Sequence, residues 1–191
     1  MKIYHWDDLD LIISELKKQK AAIVKTDTVN GIIACDPNVI YDLKDRAIEK
    51  KLIVFINSLA QINQTIPADL QSLLAHFWPG ALTIVLNGLS YRIPNDQPLL
   101  NLINKIGPLY SSSANISNYP VVQNYQDIKM QFAHKSDLFF IIAPIAPNIN
   151  SNSTMASTVF DYDQKMILRK GPISAKAISA FCQLKNNKTH C

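Results

Sequence analysis

Three polar pairs spaced two residues apart, each beside an apolar run, are the residues of this chain best suited to chemistry: Thr26/Thr28, Lys44/Arg46 and Ser113/Asn115. In extended backbone, residues i and i+2 point to the same side, so this spacing suits strand ends and loops that aim both side chains at one place. Together the pairs supply hydroxyls, an amide and two cations. That set fits a phosphorylated or carboxylated ligand, with the cations neutralising charge and the hydroxyl and amide groups fixing orientation.

Each group has a blander local reading. A basic pair at a helix exit usually sits in solvent or satisfies the helix dipole, and Lys44/Arg46 taken alone reads that way. Ser112-Ser113-Ala114-Asn115 follows directly on a predicted strand, where ligands of α/β sheets bind, yet such clusters also form turns and caps. Phe77-Trp78-Pro79-Gly80 reads as a helix stop with two core aromatics. Arg92, inside the apolar run Tyr91 to Pro94, is either at a sheet edge or holding an anion.

The elements that must position these groups follow from periodicity. Leu9, Ile12, Ile13 and Leu16 mark a helix capped by Asp7 or Asp8 and closed by Lys17, Lys18 and Lys20. Strands are expected at Ala21–Val24, Leu52–Ile56, Pro108–Ser111 and Phe139–Ile142, with a last pair at Ser157–Phe160 and Met166–Leu168. Asp36-Pro37 opens a second helix with the stripe Ile40, Leu43, Ala47; further helices are expected over Ala68–His76 and Gln97–Ile106. Asn87-Gly88 between Ala81–Leu86 and Leu89–Ile93 predicts a tight hairpin. Strands and helices alternate without strict order, so the predicted fold is α/β or α+β: one domain with a twisted mixed sheet and flanking helices.

Length and composition bound the rest. With 191 residues and 48% hydrophobic content the chain can bury one substantial core, and a net charge of +4 favours anionic partners mildly because the basic residues are scattered. Cys35, Cys182 and Cys191 have neither disulfide nor zinc-knuckle spacing. No apolar core follows the N-terminus and the longest apolar stretch, Leu138–Pro147, is too short for a membrane helix, so a cytoplasmic protein with no membrane association is expected. Residues 144–153 form a polar loop that could act as a flap, and the tail 185–191, beyond a domain spanning 1–184, is expected to fray. Walker-type and dinucleotide-binding glycine motifs, metal-spaced histidines and a nucleophile elbow are missing from the sequence, so no metal ligands are assigned.

Read in order, seven segments resemble the YrdC/Sua5/TsaC family of threonylcarbamoyl-AMP synthases, in its short single-domain form. They are Lys25-Thr26-Asp27-Thr28-Val29-Asn30-Gly31, Lys44-Asp45-Arg46 with Lys50, Phe77 to Thr83, Arg92-Ile93-Pro94, Ser112 to Ser117, Ser157-Thr158-Val159 and Ile167-Leu168-Arg169. The resemblance implies a YrdC-like fold around a large basic cavity. It implies conversion of L-threonine, bicarbonate and ATP to threonylcarbamoyl-AMP and pyrophosphate, a nucleotidyl transfer, with Mg²⁺ accompanying ATP as substrate. The product would feed the t6A modification of tRNA through partner proteins.

By the same resemblance Lys44 and Arg46 are the catalytic cations, Lys44, Arg46, Lys50, Ser113, Asn115 and Arg169 bind the nucleotide, and Thr26, Thr28, Arg92 and Ser157 lie near threonine. The sequence departs from the family pattern at Lys25, Asn30, Lys51 and Asn118, where the family usually has Pro, Tyr, Pro and Gly. Two other readings keep the fold. One is a carbamoyl-adenylate-forming relative, as in hydrogenase-maturation proteins. The other is a module that binds tRNA or double-stranded RNA in the basic cavity.

Overall fold

The computed structural model describes residues 1–117, 119, 124–142 and 155–182. Asn118, Cys191, the predicted flap at 144–153 and the tail 185–191 lie outside the described residues. Among the described residues, ten strands form one mixed sheet: β1 (Ile3–His5), β2 (Ala21–Val24), β3 (Gly31–Ala34), β4 (Ile53–Phe55), β5 (Leu82–Leu86), β6 (Leu89–Arg92), β7 (Leu109–Ser113), β8 (Leu138–Ile142), β9 (Thr158–Asp161) and β10 (Met166–Arg169). Their order is β1-β8-β2-β3-β7-β4-β6-β5-β9-β10. Four of the nine pairings are parallel and five antiparallel, which bears out the expected mixed sheet.

Six α-helices among the described residues flank it: α1 (Leu9–Lys17), α2 (Pro37–Lys44), α3 (Ala68–Phe77), α4 (Gln97–Ile106), α5 (Tyr125–Gln131) and α6 (Ala175–Ser179). Of the two caps expected from the sequence, the one on α2 forms and the one on α1 does not. Asp36 accepts the Asn38 amide at the start of α2, and Asp96 accepts the Leu99 amide at the start of α4. Asp8 precedes α1, but its carboxylate accepts the His5 amide and so braces the preceding 3-10 turn instead.

The two halves of the sheet are covered differently, and that difference creates the site. In β2, β3 and β8, alternate residues feed two separate cores. Ala21, Ile23, Ile32 and Phe140 pack toward α2 and α5, while Ala22, Val24, Ile33 and Phe139 pack toward α1 and α4. Both faces are apolar there. In β5 and β6, Leu82, Ile84, Leu86 and Tyr91 pack into the core that includes Leu70, Leu73 and Leu74 of α3 and Ile178 of α6. The alternate residues Thr83, Val85 and Ser90 face a cleft on the opposite side.

Two placements correct the sequence reading. β7 runs on through Ser112 and Ser113, so those residues belong to the strand end and not to a loop after it. β6 is an interior strand between β4 and β5, and Arg92 is 2% exposed, which removes the edge reading for that arginine. Trp78 ends α3 as expected, is buried, and donates its indole N–H to the Leu82 carbonyl at 2.7 Å.

Candidate functional site

The cleft has two lobes that share Ile53, Ser111, Ser112, Ser113 and Arg169. The larger, of about 440 Å³, is lined also by Arg46, Lys51, Thr83, Val85, Ser90, Val159 and Leu168. The smaller, of about 40 Å³, is lined also by Thr26, Thr28, Val29, Asn30, Phe55, Arg92, Ala156 and Ser157. No carboxylate lines either lobe among the described residues.

Lys44 is the last residue of α2, where Asp45 turns into the left-handed region at φ 47° and ends the helix. The lysine is not solvated, contrary to the local reading of the pair: it is 1% exposed, and its Nζ donates to Ser112 Oγ at 2.9 Å and to the Ser113 carbonyl at 2.5 Å. Burial, with a smaller push from Arg46, lowers its pKa to about 7. Arg46 is braced by the chain that follows it, its Nε donating to the Lys50 carbonyl at 2.8 Å and its Nη2 to the Lys51 carbonyl at 3.1 Å. Lys50 itself is exposed and lines neither lobe, its carbonyl accepting from Arg46; the neighbouring Lys51 lines the cleft.

Ser113 lies at the end of β7 and donates to Asn115 Oδ1 at 2.6 Å. Asn115 does not line the cleft. Its amide donates to the Ile116 and Tyr119 carbonyls at 2.9 and 2.7 Å, so it holds the Ser113 hydroxyl and the following turn in place.

On the other side of the cleft, Arg169 at the end of β10 donates from Nε to the Ser157 carbonyl and from Nη2 to Ser157 Oγ, both at 3.0 Å. Burial lowers the Arg169 pKa, and Arg92 and Arg46 lower it further, in that order. Those three guanidiniums therefore converge on one space. Cations held this close repel one another and favour an anion between them.

Arg92, at the end of β6, reaches the loop between β2 and β3. Its Nε donates to the Gly80 carbonyl at 2.8 Å, its Nη1 to Thr28 Oγ1 at 2.9 Å, and its Nη2 forms a 2.5 Å ion pair with Asp27. Thr26 is structural within that loop: its hydroxyl donates to the Val29 carbonyl at 2.7 Å and accepts the Thr28 amide at 3.1 Å. Asn30 is fully buried and its carbonyl accepts the Ala114 amide, tying this loop to the end of β7.

The structure thus gathers Arg46, Ser113, Arg169, Thr26, Thr28, Arg92 and Ser157 around one cleft, with the Lys44 amine on the backbone and hydroxyl of its serine wall. Sequence reasoning misses three participants. Thr83, fully buried, shares a 2.8 Å hydrogen bond with Ser157; the alternation Leu82-Thr83-Ile84 is its signal, a lone polar residue on the second face of an apolar strand. Ser112 receives Lys44, and Asp27 pairs with Arg92.

Gly171 seats this wall. A Cβ there would stand 2.5 Å from the Ala156 carbonyl oxygen and 2.6 Å from the Ser157 carbonyl carbon, and would press on the Thr158 amide. Gly171→Ala is therefore expected to cost about 1–3 kcal/mol in denaturant unfolding and to displace Ser157 and Arg169 together. Unchanged stability would show that the loop gives way without cost.

The family model described as Sua5/YciO/YrdC, telomere recombination, matches residues 14–171. The chain belongs to this family. An uncharacterized protein of Mycoplasma genitalium is 34% identical to this Sua5/YciO/YrdC chain, over 88% of the chain and 36% of that protein. Threonylcarbamoyl-AMP synthase of Bacillus subtilis is 29% identical, over 86% of the chain and 54% of the enzyme. The chain thus spans between about a third and somewhat over half of the length of these relatives. In fold it is similar to P. abyssi Sua5, solved in complex with L-threonine, at a TM-score of 0.83 and 24% identity over 96% of this chain and 61% of that one. Among the described residues, no helix of this family member is long and apolar enough to cross a membrane.

Proposed function

We propose that this chain is an L-threonylcarbamoyladenylate synthase, an enzyme of nucleotidyl transfer that joins L-threonine, bicarbonate and ATP and releases pyrophosphate. The observation that carries the reading is the two-lobed cleft: Arg46, Lys51 and Arg169 line the larger lobe, while the smaller one, which shares Arg169, presents threonine hydroxyls, Ser157 and the hydrogen-bonded Arg92. The activity of the Bacillus subtilis relative supports it.

In this reading the nucleotide occupies the larger lobe. The threonine nitrogen attacks the carbon of bicarbonate, forming a C–N bond with loss of water, and the resulting carbamate is an oxygen nucleophile that is already ionised. That oxygen attacks the α-phosphorus, and the bond from phosphorus to the bridging oxygen of the β-phosphate breaks. Negative charge grows on the departing pyrophosphate, where Lys44 and Arg46 stabilise it. Ser113 and Arg169 hold the nucleotide, with Asn115 acting through Ser113; Thr28, Arg92 and Ser157 face threonine, with Thr26 bracing Thr28. No cluster of three His, Cys, Asp or Glu side chains able to hold a metal exists among the described residues. Magnesium fits as an ion carried on the nucleotide phosphates. The adenylate would pass to t6A-modifying proteins in the cytoplasm. Incubation with ¹³C-bicarbonate, threonine and ATP is expected to yield a labelled threonylcarbamoyl-adenylate by mass spectrometry; its absence from a folded sample that binds ATP would refute the reading.

A pH dependence follows from Lys44. Its amine, with a pKa of about 7 in the free protein, must be protonated to serve a phosphate, and the bound anion raises that pKa. Below pH 7 the amine is already charged and ATP affinity is flat. Above it, binding takes up a proton and Kd rises by up to about tenfold per pH unit until the bound-state pKa is reached. Calorimetry at pH 8 in two buffers of different ionisation enthalpy is expected to show uptake approaching one proton, and none in Lys44→Met. Equal heats in both buffers for the wild type would remove Lys44 from the phosphate contact.

A further inference from the structure

The two lobes differ in their balance of charge as well as in size. Arg46 and Lys51 face only the larger lobe and Arg169 lines both, with no carboxylate on either wall among the described residues. Arg92 in the smaller lobe is instead paired with Asp27, the two side chains being 3% and 15% exposed. A guanidinium has five N–H donors, and Gly80, Thr28 and Asp27 take one on each nitrogen. One N–H on each terminal nitrogen is left without a partner among the described residues.

The other charges that act near Asp27 do not undo this balance. Asp96, at the start of α4, has its pKa raised by burial, opposed by the Leu99 amide, with a smaller upward push from Asp27 and a smaller downward one from Lys25, so Asp96, Asp27 and Lys25 sit within one another's fields. Lys25 is exposed and screened, whereas the Asp27–Arg92 pair is shielded from water.

We propose that Asp27, by neutralising Arg92, makes the smaller lobe selective for a zwitterionic amino acid and keeps phosphate-type anions in the larger lobe. An amino acid offers a carboxylate to the two spare N–H donors and an ammonium group that tolerates the nearby Asp27 carboxylate. A phosphate oxygen cluster finds a cation already compensated, with a like charge beside it. Rejection of the wrong ligand by a placed like charge is the cheaper route to specificity when both ligands are anionic at the contact point. Asp27 is thus a positioning residue that acts through Arg92. The inference rests on the threonine and ATP reading and adds to it the means by which one basic cleft keeps its two anionic ligands apart.

The test compares wild type, Asp27→Asn and Asp27→Glu, with inorganic phosphate as competitor, in an assay of pyrophosphate release at varied threonine and at varied ATP. In Asp27→Asn, phosphate is expected to compete against threonine at least tenfold more strongly than in wild type, while its competition against ATP is unchanged; Asp27→Glu should restore the wild-type pattern. Asp27→Ser, which retains an acceptor for Arg92, carries the same expectation if Asp27→Asn does not fold. A uniform loss of turnover with no change in phosphate competition against threonine would overturn the proposal and leave Asp27 a structural brace. Wild type that releases no pyrophosphate with threonine would instead sink the reading on which the proposal stands, so the two failures are separable.

Discussion

Lys44→Met is expected to lower turnover by about 10²–10³-fold, the loss typical when a donor to developing negative charge is removed, and at the same time to raise the thermal stability of the ligand-free protein. The second half follows from linkage. The folded amine has a pKa of about 7 against an unfolded value of 10.5, so between those limits the unfolded chain binds more protons and stability rises with pH. At neutral pH and below, the buried charge is a standing cost on the order of several kcal/mol. Met keeps the length and apolar stem of lysine and removes that charge, but takes a donor from the Ser112 hydroxyl and from the Ser113 carbonyl, which keeps the Asn115 amide, at a cost of about 1–3 kcal/mol. The net expectation is a higher Tm than wild type at pH 6, an advantage that shrinks above pH 7 and reverses as the pH approaches 10, where only the lost hydrogen bonds remain. A Lys44→Met variant that is both inactive and less stable at pH 6 would show that Lys44 is a structural cross-link between α2 and β7, with no strain stored for function.

Arg92→Gln is the second change of large effect. The guanidinium ties β6 to two other segments: the Gly80 carbonyl after α3, and Thr28 and Asp27 in the loop between β2 and β3. Removing it leaves the Asp27 carboxylate largely buried without its cation, and breaking a buried pair in this way costs about 3–5 kcal/mol, reduced here because Asp27 retains 15% exposure. Both chemistry and stability should suffer, but differently. KM for threonine is expected to rise by at least tenfold with a smaller change in KM for ATP, and denaturant unfolding should show a loss of about 2–4 kcal/mol. The double variant Arg92→Gln/Asp27→Asn removes the orphaned charge and is expected to recover most of the stability while keeping the high KM. Equal rises in both KM values would place Arg92 in the nucleotide contact.

The local elements that can be read from sequence are those whose signal is self-contained. Asn87 and Gly88 adopt φ of 48° and 75°, the geometry that Asn-Gly favours, and Gln97–Ile106 follows from an Asp cap, an early Pro and a clean apolar stripe. β3 escapes the sequence reading because Gly31–Ala34 is buried on both faces and so lacks alternation, and β1 because three residues at a sheet edge carry too little pattern. α5 and α6 are short; their caps, Asn124 and Ser174, are signals too weak to single out. At the site, the hydroxyl and cation pairs are legible because each is local. The burial of Lys44 is not, because it depends on the end of α2 meeting the end of β7, 68 residues further along the chain. The Asp27–Arg92 pair spans 65 residues and is hidden for the same reason: spacing reports which side chains share a face, not which faces meet.

The most direct test of the central claim is pyrophosphate release from ATP by the purified chain with Mg²⁺, with threonine or bicarbonate omitted in turn. Release is expected only when both are present, and to fall to background in Lys44→Met. Release independent of threonine, or none from a folded sample that binds ATP or RNA with a steep salt dependence, would contradict the account and turn the basic cleft over to a carbamoyl-adenylate-forming or RNA-binding role.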